Sequence, residues 1–179
     1  DVKRILITND DGVQSPGLLA LKQALALLAE ITIFAPDHNW SAAGHTKTMH
    51  KPLRVSQVTL ADGTAAFATT GAPSDCVSLA LLGLIPQRPD LVVSGINQGA
   101  NMGHDITYSG TVAGAMEAVV AGLPALAVSL EWSEAMDYGP AAEATARLVR
   151  QVFVHGLPAN SFLNVNAPAL PRDAICPSW

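Results

Sequence analysis

Short β-branched runs alternate with helix-patterned stretches along this chain, and that alternation is what most restricts its fold. Arg4-Ile5-Leu6-Ile7-Thr8 precedes a stretch from Pro16 to Leu28 with Leu18, Leu21, Leu25 and Leu28 on one stripe. Ile31 to Phe34 follows, and later Leu91-Val92-Val93-Ser94 leads to Val112 to Ala121. Strand, helix, strand in turn requires crossover connections, and so a parallel sheet covered by helices on both faces. The expected fold is α/β: a Rossmann-like, doubly wound, mostly parallel sheet in a three-layer αβα sandwich. Ser15 and Pro16 mark the start of the first helix as N-cap and first helical residue. Ser74 to Leu84 is apolar nearly all round, as in a helix buried on more than one side. Gly110 to Ala121 ends at Gly122-Leu123-Pro124, a terminating glycine followed by a breaker. A last helix is expected over Pro140 to His155, stopped by Gly156, and Asn164-Val165-Asn166-Ala167-Pro168 reads as the exit of a strand. Between Lys51 and Ala68, short alternating stretches flank the turn signal Asp62-Gly63, which predicts a small β-hairpin inserted at about 51–69.

At 179 residues with 49% hydrophobic content and 14% charge, one domain spanning 1–179 can bury a sizeable core. Its apolar stretches are broken within about a dozen residues by Gly, Pro or a charge, too short to span a bilayer. The N-terminus lacks a signal peptide's layout, so no membrane partner and a cytoplasmic location are expected. The net charge of −5, with no Lys/Arg run, argues against a stable nucleic-acid complex. Two distant cysteines, Cys76 and Cys176, read as reduced thiols rather than a disulfide framework.

In doubly wound sheets ligands bind beyond the carboxyl ends of the strands, so polar residues directly after apolar runs carry the functional information. Asn9-Asp10-Asp11-Gly12 follows the first strand, Pro36-Asp37-His38-Asn39-Trp40-Ser41 the second, and Gly95-Ile96-Asn97-Gln98-Gly99-Ala100-Asn101 the Leu91 strand. Adjacent carboxylates at a strand end repel each other unless a hard cation takes oxygen ligands from both, which makes Asp10 and Asp11 the metal candidates. Ser41 and Asn97 offer neutral oxygens, and such a set suits Mg²⁺, Mn²⁺ or Ca²⁺ better than zinc. Ser109-Gly110-Thr111 opens a helix whose N–H groups and dipole can cradle a phosphate. None of the five histidines has the spacing of a helical metal pair. The Lys51–Ala68 hairpin and the His38–His45 loop are the expected walls of this crevice.

The opening run Ile5 to Gly12 with Ser15-Pro16-Gly17 resembles the first motif of the SurE family, stationary-phase survival proteins that act as 5′/3′-nucleotidases. Ala35-Pro36-Asp37 leading to Ser41-Ala42, Gly71 to Val77, Val93 to Gly103 and Tyr108 to Glu117 resemble later family blocks in the same order. The resemblance implies metal ligands at Asp10, Asp11, Ser41 and Asn97, a phosphate pocket lined by Asn9, Asn101, Ser109, Gly110 and Thr111, and catalytic roles for Asp10, Asp11, Asn101 and Ser109. It implies one divalent ion, Mg²⁺ or Mn²⁺ with Ca²⁺ able to replace it in crystals. The implied substrate is a nucleoside monophosphate, with a phosphatase of broader substrates such as short polyphosphate, or a non-catalytic nucleotide-binding module, as the alternative readings, and the implied assembly is a homodimer or homotetramer. The chain is short for that family and the stretch after Asp173 does not read like its usual continuation. The family's exchanged C-terminal arm is therefore expected to be missing.

Overall fold

The computed structural model describes residues 2–40, 44–171 and 174. Seven strands form one sheet: β1 (Arg4–Thr8), β2 (Glu30–Pro36), β3 (Val55–Thr59), β4 (Ala65–Thr69), β5 (Leu91–Gln98), β6 (Ala125–Leu130) and β7 (Phe162–Ala167), in the order β3-β4-β2-β1-β5-β6-β7. Every neighbouring pair is parallel except β3 with β4. Four helices cover it: α1 (Pro16–Leu25), α2 (Pro73–Leu79), α3 (Gly110–Val120) and α4 (Gly139–His155).

The layering follows from alternation along the strands. In β1, Ile5 and Ile7 pack with Leu18, Leu21 and Leu25 of α1 and Val149 and Val152 of α4. Leu6, between them, joins Cys76 and Val77 of α2 and Val112, Ala115 and Ala118 of α3 on the opposite face. Leu18, Leu21 and Leu25 are fully buried, each contributing about 1.5–3 kcal/mol of apolar burial. Ser15 caps α1 as its sequence predicts, its hydroxyl accepting from the Leu18 N–H, although the helix stops at Leu25 rather than Leu28.

The inserted hairpin is present as β3 and β4, but it is not a separate flap. β4 pairs in parallel with β2 through Phe34–Phe67, Ala35–Ala68 and Pro36–Thr69, so the insertion extends the main sheet. The buried apolar helix expected over Ser74 to Leu84 begins as α2 and loosens into a π-helical turn over Ala80–Leu84. The run Ala125–Leu130, which sequence patterning leaves unassigned after Pro124, is a fully buried strand between β5 and β7. From β1 the chain moves outward through β2 on one side, while β5 lies on the other. The topological switch point therefore falls between β1 and β5, where crevices for ligands form in such sheets.

Candidate functional site at the β1–β5 switch point

Asp10 and Asp11 leave the end of β1 at this switch point. Asp10 is 4% exposed and lies against the start of α3, where its Oδ1 accepts from the Thr111 hydroxyl at 2.6 Å and its Oδ2 from the Thr111 N–H at 3.2 Å. The approach is close enough that a Cβ at position 110 would lie 2.8 Å from the Asp10 Cβ, so this helix start requires Gly110. Asp11 is less buried, and its Oδ2 accepts from the Gln98 N–H at 3.3 Å. Burial pushes both carboxyls above the usual carboxylate range. Asp11 reaches about 6, from desolvation first and then from the neighbouring charge of Asp10, with the Gln98 N–H opposing. Among the described residues, no cation forms an ion pair with either acid.

Asn97 follows a bulge near the end of β5 and directly precedes Gln98, whose N–H meets Asp11. The β5–β6 register shifts between Ser94 and Asn97, and at Gly95, φ +144°, a Cβ would lie 2.4 Å from the Val128 carbonyl oxygen. A bulge of this kind re-aims the residues that follow it. The Asn97 amide nitrogen donates to the Gly99 carbonyl at 2.7 Å, which commits the nitrogen and leaves the side-chain oxygen as the group offered to a ligand. Ser41 lies outside the described residues. Its neighbour Trp40 donates its backbone N–H to the Asp10 carbonyl at 2.7 Å, which ties the loop after β2 to the carboxylate pair.

The expected phosphate residues divide into two groups. Ser109 caps α3 by accepting from the Val112 N–H at 3.1 Å, and both Thr111 donors are engaged by Asp10. Asn9 is fully buried, its amide donating to the Gly12 carbonyl and the Ser15 hydroxyl, so it shapes the Asp10–Gly12 turn from beneath. Asn101 sits in a net of amides: its N–H donates to Asn166 Oδ1, its side chain donates to Ser129 Oγ, and its carbonyl accepts from Asn164 and Asn166. That net fastens the loop after β5 to β6 and β7.

Tyr138 is a site residue without a local sequence signal. It lines a cavity of about 330 Å³ together with Asp11, Ser15, His38 and Gln98. Its hydroxyl pKa is raised by burial and then by the Asp11 charge. It stands before α4, far along the chain from Asp11, and only folding brings the two together.

Behind the site, two further acids fasten the loop between β2 and β3. Asp75 accepts from the Thr48 N–H and hydroxyl and from the Ala72 N–H, while Ser74 donates its hydroxyl to the Thr46 carbonyl. Glu117, on α3, accepts from Ser78 at 2.6 Å and Lys47 at 2.7 Å and meets His45 Nε2 at 3.0 Å. Burial raises the Glu117 carboxyl, but these partners outweigh it and the net shift is downward.

Among the described residues, no three of His, Cys, Asp and Glu cluster as a metal site. The donors offered at these two strand ends, two carboxylates from the end of β1 and an amide oxygen from the end of β5, are a hard-oxygen set that suits Mg²⁺ or Mn²⁺ and not a His/Cys-bound ion. Two raised carboxyls without a cationic partner fit a divalent ion between them.

Comparison with known proteins gives one consistent result. The family model described as survival protein SurE matches residues 5–178. The chain is 52% identical over 174 residues to the 5′-nucleotidase SurE of Pelobacter propionicus, covering 97% of this chain and 69% of that protein. It is 54% identical over 166 residues to the 5′-nucleotidase SurE of Herpetosiphon aurantiacus, covering 92% of this chain and 65% of that one. The crystal structure of the SurE protein from Aquifex aeolicus superposes with a TM-score of 0.87 at 40% identity, covering 96% of this chain and 68% of the other. The chain thus spans roughly two thirds of the length of these relatives.

Proposed function

This chain belongs to the SurE family, and from that premise we propose that its β1–β5 crevice removes phosphate from nucleoside 5′-monophosphates, and from 3′-monophosphates, with a divalent metal ion. The observation that carries the reading is the pair Asp10 and Asp11, buried side by side at the switch point with raised pKa values and no cationic partner among the described residues.

Asp10, Asp11 and Asn97 would hold the ion, with Ser41 as the fourth ligand. When bound, Mg²⁺ or Mn²⁺ supplies charge neutralisation for the phosphoryl oxygens and eases deprotonation of water. The remaining work belongs to the chain. Thr111 fixes the Asp10 carboxylate by two hydrogen bonds, so its orientation is set before substrate arrives. The Ser109 hydroxyl and the Gly110 N–H, at the positive end of α3, face the charge that develops on the phosphoryl oxygens. Asn101, braced by Ser129, Asn164 and Asn166, would offer the phosphate a fixed amide from the loop after β5. A water oxygen attacks phosphorus as Asp10 or Asp11 takes its proton, and the ester P–O bond breaks with a proton returned to the leaving oxygen, giving the nucleoside hydroxyl and inorganic phosphate.

Among the described residues, no helix is long and apolar enough to cross a membrane. A cytoplasmic homodimer or homotetramer completes the reading, supported by the family resemblance. The decisive assay is phosphate release from a panel of nucleoside 5′- and 3′-monophosphates after chelator treatment, with and without Mn²⁺ or Mg²⁺. Metal-restored release is expected; no release with either ion overturns the reading.

A further inference from the structure

A second cavity, of about 500 Å³, opens beside the first and shares His38 with it. We propose that this cavity is the subsite for the nucleobase of the substrate, that the base stacks on Trp40, and that Lys51 and Arg54 select a 6-oxopurine over adenine. The proposal rests on the nucleotidase reading above and names the substrate class for the same site.

The cavity's walls are fastened independently of any ligand. Trp40 is pinned by its backbone to the Asp10 carbonyl, and its ring lies 5.2 Å from that of His38, forming an aromatic shelf that starts at the metal-binding acids. Arg54, also in the lining, is joined to Thr70 by a pair of hydrogen bonds: its N–H donates to the Thr70 hydroxyl, and its carbonyl accepts from the Thr70 N–H. Thr48, also in the lining, is held by Asp75. A ligand whose phosphate sits at Asp10 and Asp11 thus finds, beyond His38, a preformed slot with an aromatic face.

The polar lining has one sign. Lys51 and Arg54 are the charged residues, with Thr48 and Thr70 hydroxyls and no carboxylate. Lys and Arg side chains only donate, so the edge they read must carry acceptors. A 6-oxopurine offers O6 and N7 to such donors, whereas adenine replaces O6 with an amino group that itself donates. Stacking on an aromatic ring is tolerant of base identity and supplies affinity; the cationic pair supplies the choice.

The test measures kcat/KM for GMP, AMP and ribose 5-phosphate with Mn²⁺, together with guanosine binding by calorimetry, in the wild type, Trp40→Ala, Trp40→Phe and Arg54→Met. In Trp40→Ala the advantage of GMP over ribose 5-phosphate should fall about tenfold and guanosine binding should weaken about as much, with most of both restored in Trp40→Phe. The wild type should favour GMP over AMP about tenfold, and Arg54→Met should bring that ratio close to one. Unchanged ratios in both variants of an enzyme that hydrolyses GMP overturn the subsite. A wild type that releases no phosphate overturns the nucleotidase reading instead, and guanosine binding then decides the subsite alone: Trp40-dependent binding supports it, and binding that is absent or indifferent to Trp40 overturns it.

Discussion

Two pairs of acids, one at the end of β1 and one on α2 and α3, are treated in opposite ways. Asp75 and Glu117 are saturated: backbone and side-chain donors, a lysine and a histidine meet their oxygens, and together they fasten residues 45–48 to α2 and α3. Asp10 and Asp11 receive three hydrogen bonds from Thr111 and Gln98 and no ion pair among the described residues. The fold thus surrounds Asp75 with hydrogen-bond donors and gives Glu117 both donors and cations. On the proposed function the other pair is left to a ligand, and the difference would separate structural acids from functional ones.

The largest break in that contrast should come from Asp10→Asn and Asp11→Asn. Each is expected to lower Mn²⁺-stimulated phosphate release at least about 1,000-fold with the circular dichroism spectrum preserved, because the lost charge serves a ligand and not the core. Activity persisting in both variants would contradict the assignment. Glu117→Ala should do the reverse, costing about 2–3 kcal/mol in urea unfolding by stranding Lys47, His45 and Ser78. A cost under 0.5 kcal/mol would show that the strap contributes little.

A smaller effect sharpens the comparison at Thr111. Replacing it with Val removes the hydroxyl that orients Asp10 but keeps the N–H, so Mn²⁺ affinity measured by calorimetry should drop about tenfold. The smallest effect is in pH dependence. The folded-state pKa of Asp11, about 6, lies above its ordinary value, so its contribution favours the folded state at low pH and is lost as pH rises between about 4 and 6 in metal-free protein. With allowance for its partial exposure this amounts to on the order of 1 kcal/mol. Glu117 is shifted downward, so its contribution is present above about pH 4.5 and is lost as pH falls further. Urea midpoints across this range should show the Asp11 decline disappear in Asp11→Asn and the acid-side loss shrink in Glu117→Gln. A wild-type curve flat throughout would refute both assignments.

Legibility tracked the range of the interaction. β1 and the start of α1 were readable because the β-branched run and the Ser15-Pro16 cap act within a few residues. The same holds for the Asp62-Gly63 turn between β3 and β4. β6 was missed because its six apolar residues have no polar alternation; it is buried on both faces, and a buried strand and a buried helix segment look alike over that length. That β4 would join β2, making the hairpin part of the main sheet, depends on a pairing between segments about thirty residues apart.

The candidate site divides along the same line. Which residue types could bind a metal and a phosphate was written in the loops after β1 and β5 and at the start of α3, since strand-end chemistry follows from the α/β alternation. Folding decided how they share the work: Thr111 spends both donors on Asp10, Gly95 allows the bulge that precedes Asn97, and Tyr138 arrives beside Asp11 from the start of α4. Sequence determines the donors because composition and spacing are local properties. Only tertiary structure assigns their partners, because burial and charge proximity, which set both pKa and hydrogen-bond choice, exist only once distant segments have packed.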